Sequence, residues 1–206
     1  KWAYEKDGRY IIEDDYDSEF RYKGKPIPSL QGADGHGRVI YIGTFSKAIA
    51  PAIRVSYMVL PPLLLKRYRE QCSFYSSTVS RIDQRILNEF IRDGYFERYL
   101  NKTRKLYREK HDVLLQELKP FRKKFSISGE NAGLHLVLTS RDEKNTEENL
   151  MKRAAEHGVK VYGMSDSLIE EDAERFQTGG TLILGYGGLK AEEIKEGMAK
   201  LKQAWL

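Results

Sequence analysis

Three short runs rich in Ile, Val and Tyr constrain this chain most: Arg9–Asp14, Arg38–Gly43 and Arg54–Leu60. Each is nearly continuous in apolar residues, which predicts strands buried on both faces of a sheet. Roughly two dozen residues separate the first run from the second, far more than a hairpin needs, so the sheet should be parallel or mixed. That connection is polar, with Pro26, Pro28, Gly32, Gly35 and Gly37. Gly35-His36-Gly37 precedes a strand, whereas a dinucleotide fingerprint follows one, so the segment reads as a turn.

Helices come next. Pro62 lies near the start of the first, to about Ser73, where its missing N–H costs nothing. Ile82, Ile86 and Phe90 then recur at helical spacing, with Ser80 placed to cap the segment and Gly94 to end it. A long helix from about Phe96 to Leu118 carries Leu100, Tyr107, Leu114 and Leu118 on one stripe, and Pro120 stops it. Beyond it the pattern becomes α+β: strands at Phe125–Ser128, Leu134–Leu138, Val159–Tyr162 and Thr181–Leu184, a helix capped near Asn145-Thr146 and ending at Gly158, and a last helix to Trp205. The expected division is 1–95, a bridging helix at 96–120, and a small domain at 121–206.

Composition excludes several classes. With 206 residues, 40% hydrophobic and 32% charged, and a single cysteine, the chain is neither collagenous, disordered nor a disulfide scaffold. Its longest apolar run, Val55 to Leu65, is broken by Pro61 and Pro62 and falls short of the ~20 residues of a membrane helix. The first residues lack the order of a signal peptide, and the lone Cys72 fits a reducing, cytoplasmic setting. Lys and Arg exceed Asp and Glu by 35 − 30 = 5, and the basic clusters at Lys102–Lys105 and Arg122–Lys124 read as solvated helix faces. His36, His111, His135 and His157 form no metal-ligand spacing.

Two segments carry chemistry. In Glu13-Asp14-Asp15-Tyr16-Asp17 the strand alternation places Asp14 and Tyr16 on one side and the other carboxylates opposite. Alone, the run reads as a solvated strand end; a divalent-metal site is the competing reading, and no nucleotide loop accompanies it in the sequence. The second segment, Gly43-Thr44-Phe45-Ser46-Lys47 with Pro51 and Arg54, ends a strand in hydroxyls, one lysine and an arginine. A lysine there, near a second cation, favours the neutral amine that attacks an aldehyde. Thr44, Ser46 and Arg54 supply donors for a phosphate, Asp14 an anion for a pyridine nitrogen and Tyr16 a donor for a ring hydroxyl, so each polar corner of pyridoxal phosphate has a candidate partner.

Together, Glu13–Tyr22, Tyr41–Lys47 with Pro51 and Arg54, and Arg104-x-x-Tyr107 resemble the fold-type I aminotransferase domain of MocR/GabR-type (GntR family) transcriptional regulators. The resemblance runs through Leu184-Gly185-Tyr186 and implies an α/β fold: part of a pyridoxal-phosphate-dependent large domain followed by a small α+β domain. It implies that Lys47 forms an internal aldimine and that an amino compound displaces it, with γ-aminobutyrate the first candidate and D-alanyl-D-alanine, taurine or the cofactor itself as others. It also implies a homodimer, DNA contact only through an N-terminal winged-helix domain outside this chain, and correspondence to the C-terminal part of such a regulator. Where relatives place an arginine for the substrate carboxylate, this chain has Ser165-Asp166-Ser167, and Arg175 is the nearest arginine. Ser56 stands where a glycine is common. An active aminotransferase and a cofactor-free dimerisation fragment are the alternatives.

Overall fold

The computed structural model describes residues 1–168 and 179–206. They form two compact units, Lys1–Glu19 with Lys25–Thr103, and Phe20–Gly24 with Arg104–Leu206.

The first unit is built on a mixed sheet in the order β1 (Ile11–Asp15), β2 (Val39–Thr44), β3 (Ser56–Val59). β1 runs parallel to β2, and β3 is antiparallel to it. Side-chain carboxylates, one from β1 and one from within the loop, fasten the long β1–β2 connection. The Glu13 carboxylate accepts from the Leu30 and Gln31 N–H groups at 2.8 and 2.9 Å, and Asp34 accepts from the Val39 N–H at 2.7 Å as the chain enters β2. Burial on both faces is not what the sheet shows. Ile12 is 66% and Met58 56% exposed, and all of β3, an edge strand, is accessible, because nothing in the first unit covers that side.

Helices α1 (Phe45–Ala48), α2 (Pro62–Gln71), α3 (Arg81–Arg92) and α4 (Tyr95–Glu117) follow. Ser80 caps α3 by accepting from the Asp83 N–H at 3.1 Å. Gly94, at φ +72°, turns the chain into α4. The Ile82/Ile86 stripe points outward, 73% and 58% exposed, and Leu87 is the residue of α3 that is buried.

The second unit holds an antiparallel sheet of β4 (Phe125–Ser128), β5 (His135–Ser140), β6 (Tyr162–Gly163) and β7 (Thr181–Gly185) in the order β4-β5-β7-β6. In-register pairs Leu136–Leu184 and Leu138–Leu182 share one buried face, and with helices α5 (Glu147–Glu156) and α6 (Ala191–Trp205) they enclose the main core. Thr146 caps α5 by accepting from the Asn149 N–H at 3.2 Å. The Trp205 indole donates to the Leu150 carbonyl at 3.0 Å. β6 is shorter than the expected Val159–Tyr162 strand, since only Tyr162 and Gly163 pair with β7. Phe20–Gly24 is bound into this unit: Phe20 meets the Tyr107 ring edge-on at 5.1 Å, and its carbonyl accepts from the Gly133 N–H at 2.9 Å. Among the described residues, no helix is long and apolar enough to cross a membrane.

Candidate functional site

The residues expected to carry chemistry sit at the C-terminal ends of β1 and β2 and in the turn that follows β2. Register pairs Asp14 with Ile42, and Thr44 with Ser56. Side chains alternate along a strand, so Asp14, Ile42, Thr44 and Ser56 emerge on one face of the sheet. The opposite face is structural. There Asp15 accepts from the Tyr41 hydroxyl at 2.7 Å and from the Ser18 hydroxyl at 2.8 Å, and the Tyr57 ring covers Gly43, where a Cβ would collide with it. Burial, then the bond to Asp15, pushes the Tyr41 phenol well above its ordinary range.

Thr44 ends β2 and caps α1. Its hydroxyl accepts from the Ser46 N–H at 3.2 Å and donates to the Val55 carbonyl at 3.3 Å. Phe45 packs on Tyr57 and Phe96, ring centroids 5.4 and 6.0 Å apart, and the Tyr99 hydroxyl holds the Ile49 carbonyl at 2.8 Å. This seats the one-turn helix. Ala48 is buried on its inner side, which leaves Lys47 exposed rather than enclosed at a buried strand end. Arg54, at φ +49°, is the one non-glycine in the left-handed region among the described residues. That conformation costs about 1–2 kcal/mol for an L-residue; it reverses the chain out of the Pro51–Ile53 turn toward β3, with the Val55 carbonyl held by the Phe45 N–H at 3.0 Å.

Thr44, Ser46, Lys47 and Arg54 are thereby gathered in one strand–turn–strand unit, with Asp14 on the neighbouring strand. Asp14, the Ser46 hydroxyl, Lys47 and Arg54 make no side-chain hydrogen bond or ion pair among the described residues. Tyr16 lies just beyond β1, half exposed; Asp17 first, then burial and Asp14, raise its phenol above the ordinary value. Arg175 lies outside the described residues. Sequence reasoning passed over the supporting set, Glu13, Asp15, Tyr41 and Tyr57, and set Ser56 aside as a substitution. The strand alternation two residues beyond Arg54 was the signal that could have placed Ser56 on the site face. A hollow of about 370 Å³ lies elsewhere, in the second unit, between Val161, Ile183, Leu184, Ile194 and Met198. None of the expected cofactor residues lines it.

One carboxylate and three unpaired donors at strand ends are complementary to a protonated ring nitrogen, an aldehyde and a phosphate ester, so the residues present fit pyridoxal phosphate. The fold and these strand ends define a domain of the fold-type I aminotransferase kind. LysN, the α-aminoadipate aminotransferase of Thermus thermophilus, solved with N-(5'-phosphopyridoxyl)-L-leucine, superposes with a TM-score of 0.77 at 27% identity, over 95% of this chain and 49% of its own. The aminotransferase class I and II family matches residues 4–179, and the chain belongs to it. Several relatives are regulators by name. YdeL of Bacillus subtilis, an uncharacterised HTH-type transcriptional regulator, is 45% identical over all of this chain and 43% of its own length. MocR of Rhizobium meliloti, whose name describes a rhizopine catabolism regulatory protein, is 34% identical over 98% of this chain and 40% of its own. The chain thus spans less than half the length of each of these three proteins.

Proposed function

We propose that this chain is the effector-sensing part of a MocR/GabR-type transcriptional regulator and binds pyridoxal phosphate through Lys47. The observation that carries the reading is the strand-end group of Asp14, Ser46, Lys47 and Arg54 in a chain that also aligns over its length with named regulators. When bound, the cofactor supplies an aldehyde carbon that amines capture reversibly. Lys47 presents the resident amine and yields its place to an incoming amino compound. Asp14 is the anion that keeps a ring nitrogen protonated, Tyr16 donates to the ring hydroxyl, and Thr44, Ser46 and Arg54 hold the phosphate. Arg175 is the proposed contact for an effector carboxylate, and γ-aminobutyrate is the first effector to try. The output is a population shift toward whichever conformation the effector binds better, passed in a cytoplasmic homodimer to a separate DNA-binding domain.

A second reading is a working aminotransferase, favoured by the 27% identical LysN. Lys47 would then also move a proton as general base. The visible spectrum of the chain with added pyridoxal phosphate, beside Lys47→Ala, tests both. The expected result is a lysine-bound cofactor band near ~410 nm that the variant lacks. A γ-aminobutyrate-induced shift that then persists supports a sensor, and conversion to pyridoxamine phosphate supports the enzyme. No band in the wild-type chain overturns both and leaves the cofactor-free dimerisation role.

A further inference from the structure

We propose that Ser56 is a further hydroxyl of the phosphate cradle, a role that rests on the pyridoxal phosphate reading above. Ser56 opens β3 two residues after Arg54 and lies opposite Thr44 in register, on the sheet face that also carries Asp14. Its hydroxyl donates to Thr44 Oγ1 at 3.3 Å.

A threonine hydroxyl has one proton and two lone pairs. Thr44 gives its proton to the Val55 carbonyl and accepts from both the Ser46 N–H and Ser56. In this arrangement its capacity is full, but its own donor bond is as long as that of Ser56, and the Val55 carbonyl also accepts from the Phe45 N–H at 3.0 Å. Thr44 is therefore a post that fixes the end of β2 against the start of β3, and it can turn its proton to an anion without orphaning the carbonyl it leaves.

Ser56 is exposed, and its one bond is likewise longer than the usual 2.5–3.0 Å for two oxygens, hence inexpensive to exchange. Turning its proton from Thr44 to a phosphate oxygen replaces a long neutral bond by a charge-assisted one, roughly twice as strong. With the Ser46 hydroxyl and the Arg54 guanidinium, each without a hydrogen-bond partner in this unit, the cradle then has three side-chain donors mounted around Thr44. Glycine at this position would supply none.

Equilibrium binding of pyridoxal phosphate, and of pyridoxal, which lacks the phosphate, to the wild-type chain, Ser56→Ala and Ser56→Thr tests this, read by the visible band with circular dichroism as the check on folding. Ser56→Ala is expected to weaken pyridoxal phosphate about tenfold and pyridoxal by less than about twofold, with Ser56→Thr close to wild type. Unchanged affinity of Ser56→Ala for pyridoxal phosphate overturns the assignment, as does an equal loss toward both ligands. A wild-type chain that binds neither ligand overturns the cofactor reading, and this assignment with it.

Discussion

Asp14 and Asp34 show how neighbours divide one residue type between two tasks. Asp34 accepts from the Tyr4 hydroxyl at 2.9 Å and from the backbone N–H groups of His36, Arg38 and Val39. Burial works to raise its carboxyl, but these bonds together win and hold it down to about 2. A carboxyl lowered on folding contributes stability above its unfolded value, and that contribution is lost as pH falls through the folded one. The wild-type chain should therefore lose stability between about pH 4 and pH 2. Asp34→Asn should start less stable at neutral pH and lose less across that window, as followed by urea unfolding at a series of pH values. Asp14 has no such partners among the described residues, as its proposed role toward a ring nitrogen requires. The acidic run made the alternation of Glu13, Asp14 and Asp15 legible in advance. It could not reveal that Glu13 is occupied, or that Asp15 is bound by Tyr41 as well as by its neighbour Ser18, because Leu30, Gln31 and Tyr41 lie 17, 18 and 26 residues away.

At the scale of elements, local signals were read well and distant ones poorly. Ser80 and Thr146 cap the helices they were expected to cap, since a cap is satisfied by an N–H three residues on. Helical spacing located α3 but not its environment: Ile82 and Ile86 look like an inner face, and in this unit nothing packs there. The exposure of Lys47 was missed for a similar reason, because the single turn of α1 buries Ala48 instead. Some glycines matter through what lies beside them. At Gly180, just before β7, a Cβ would stand 2.5 Å from the Asn145 carbonyl oxygen and 3.0 Å from the Leu150 side chain. Backbone cannot swing aside as the tip of Tyr57 can over Gly43. Gly180→Ala should cost about 1–3 kcal/mol, measured as a shift in the urea midpoint, with the far-ultraviolet spectrum of the folded state retained.

Across the whole molecule the hydrophobic investment is uneven. The second unit has a continuous core from Leu114 to Trp205, while the first leaves Ile12, Met58, Ile82 and Ile86 open. Trp205 closes the larger core, packed 5.5 Å from the Phe125 ring, with its indole on Leu150. Trp205→Ala should cost about 3–5 kcal/mol, checked by denaturant unfolding followed through far-ultraviolet circular dichroism. The path of the chain imposes a different kind of constraint. Phe20–Gly24 leaves the first unit between β1 and β2 to join the second, and α4 passes from one to the other at Thr103. The boundary is crossed after residues 19, 24 and 103, so no single cut separates the units. A gene fragment stopping at Thr103 would carry five residues that belong elsewhere, and its complement would lack them. Insertion, gene splitting or swapping of either unit between relatives therefore has to treat them as interlaced along the chain.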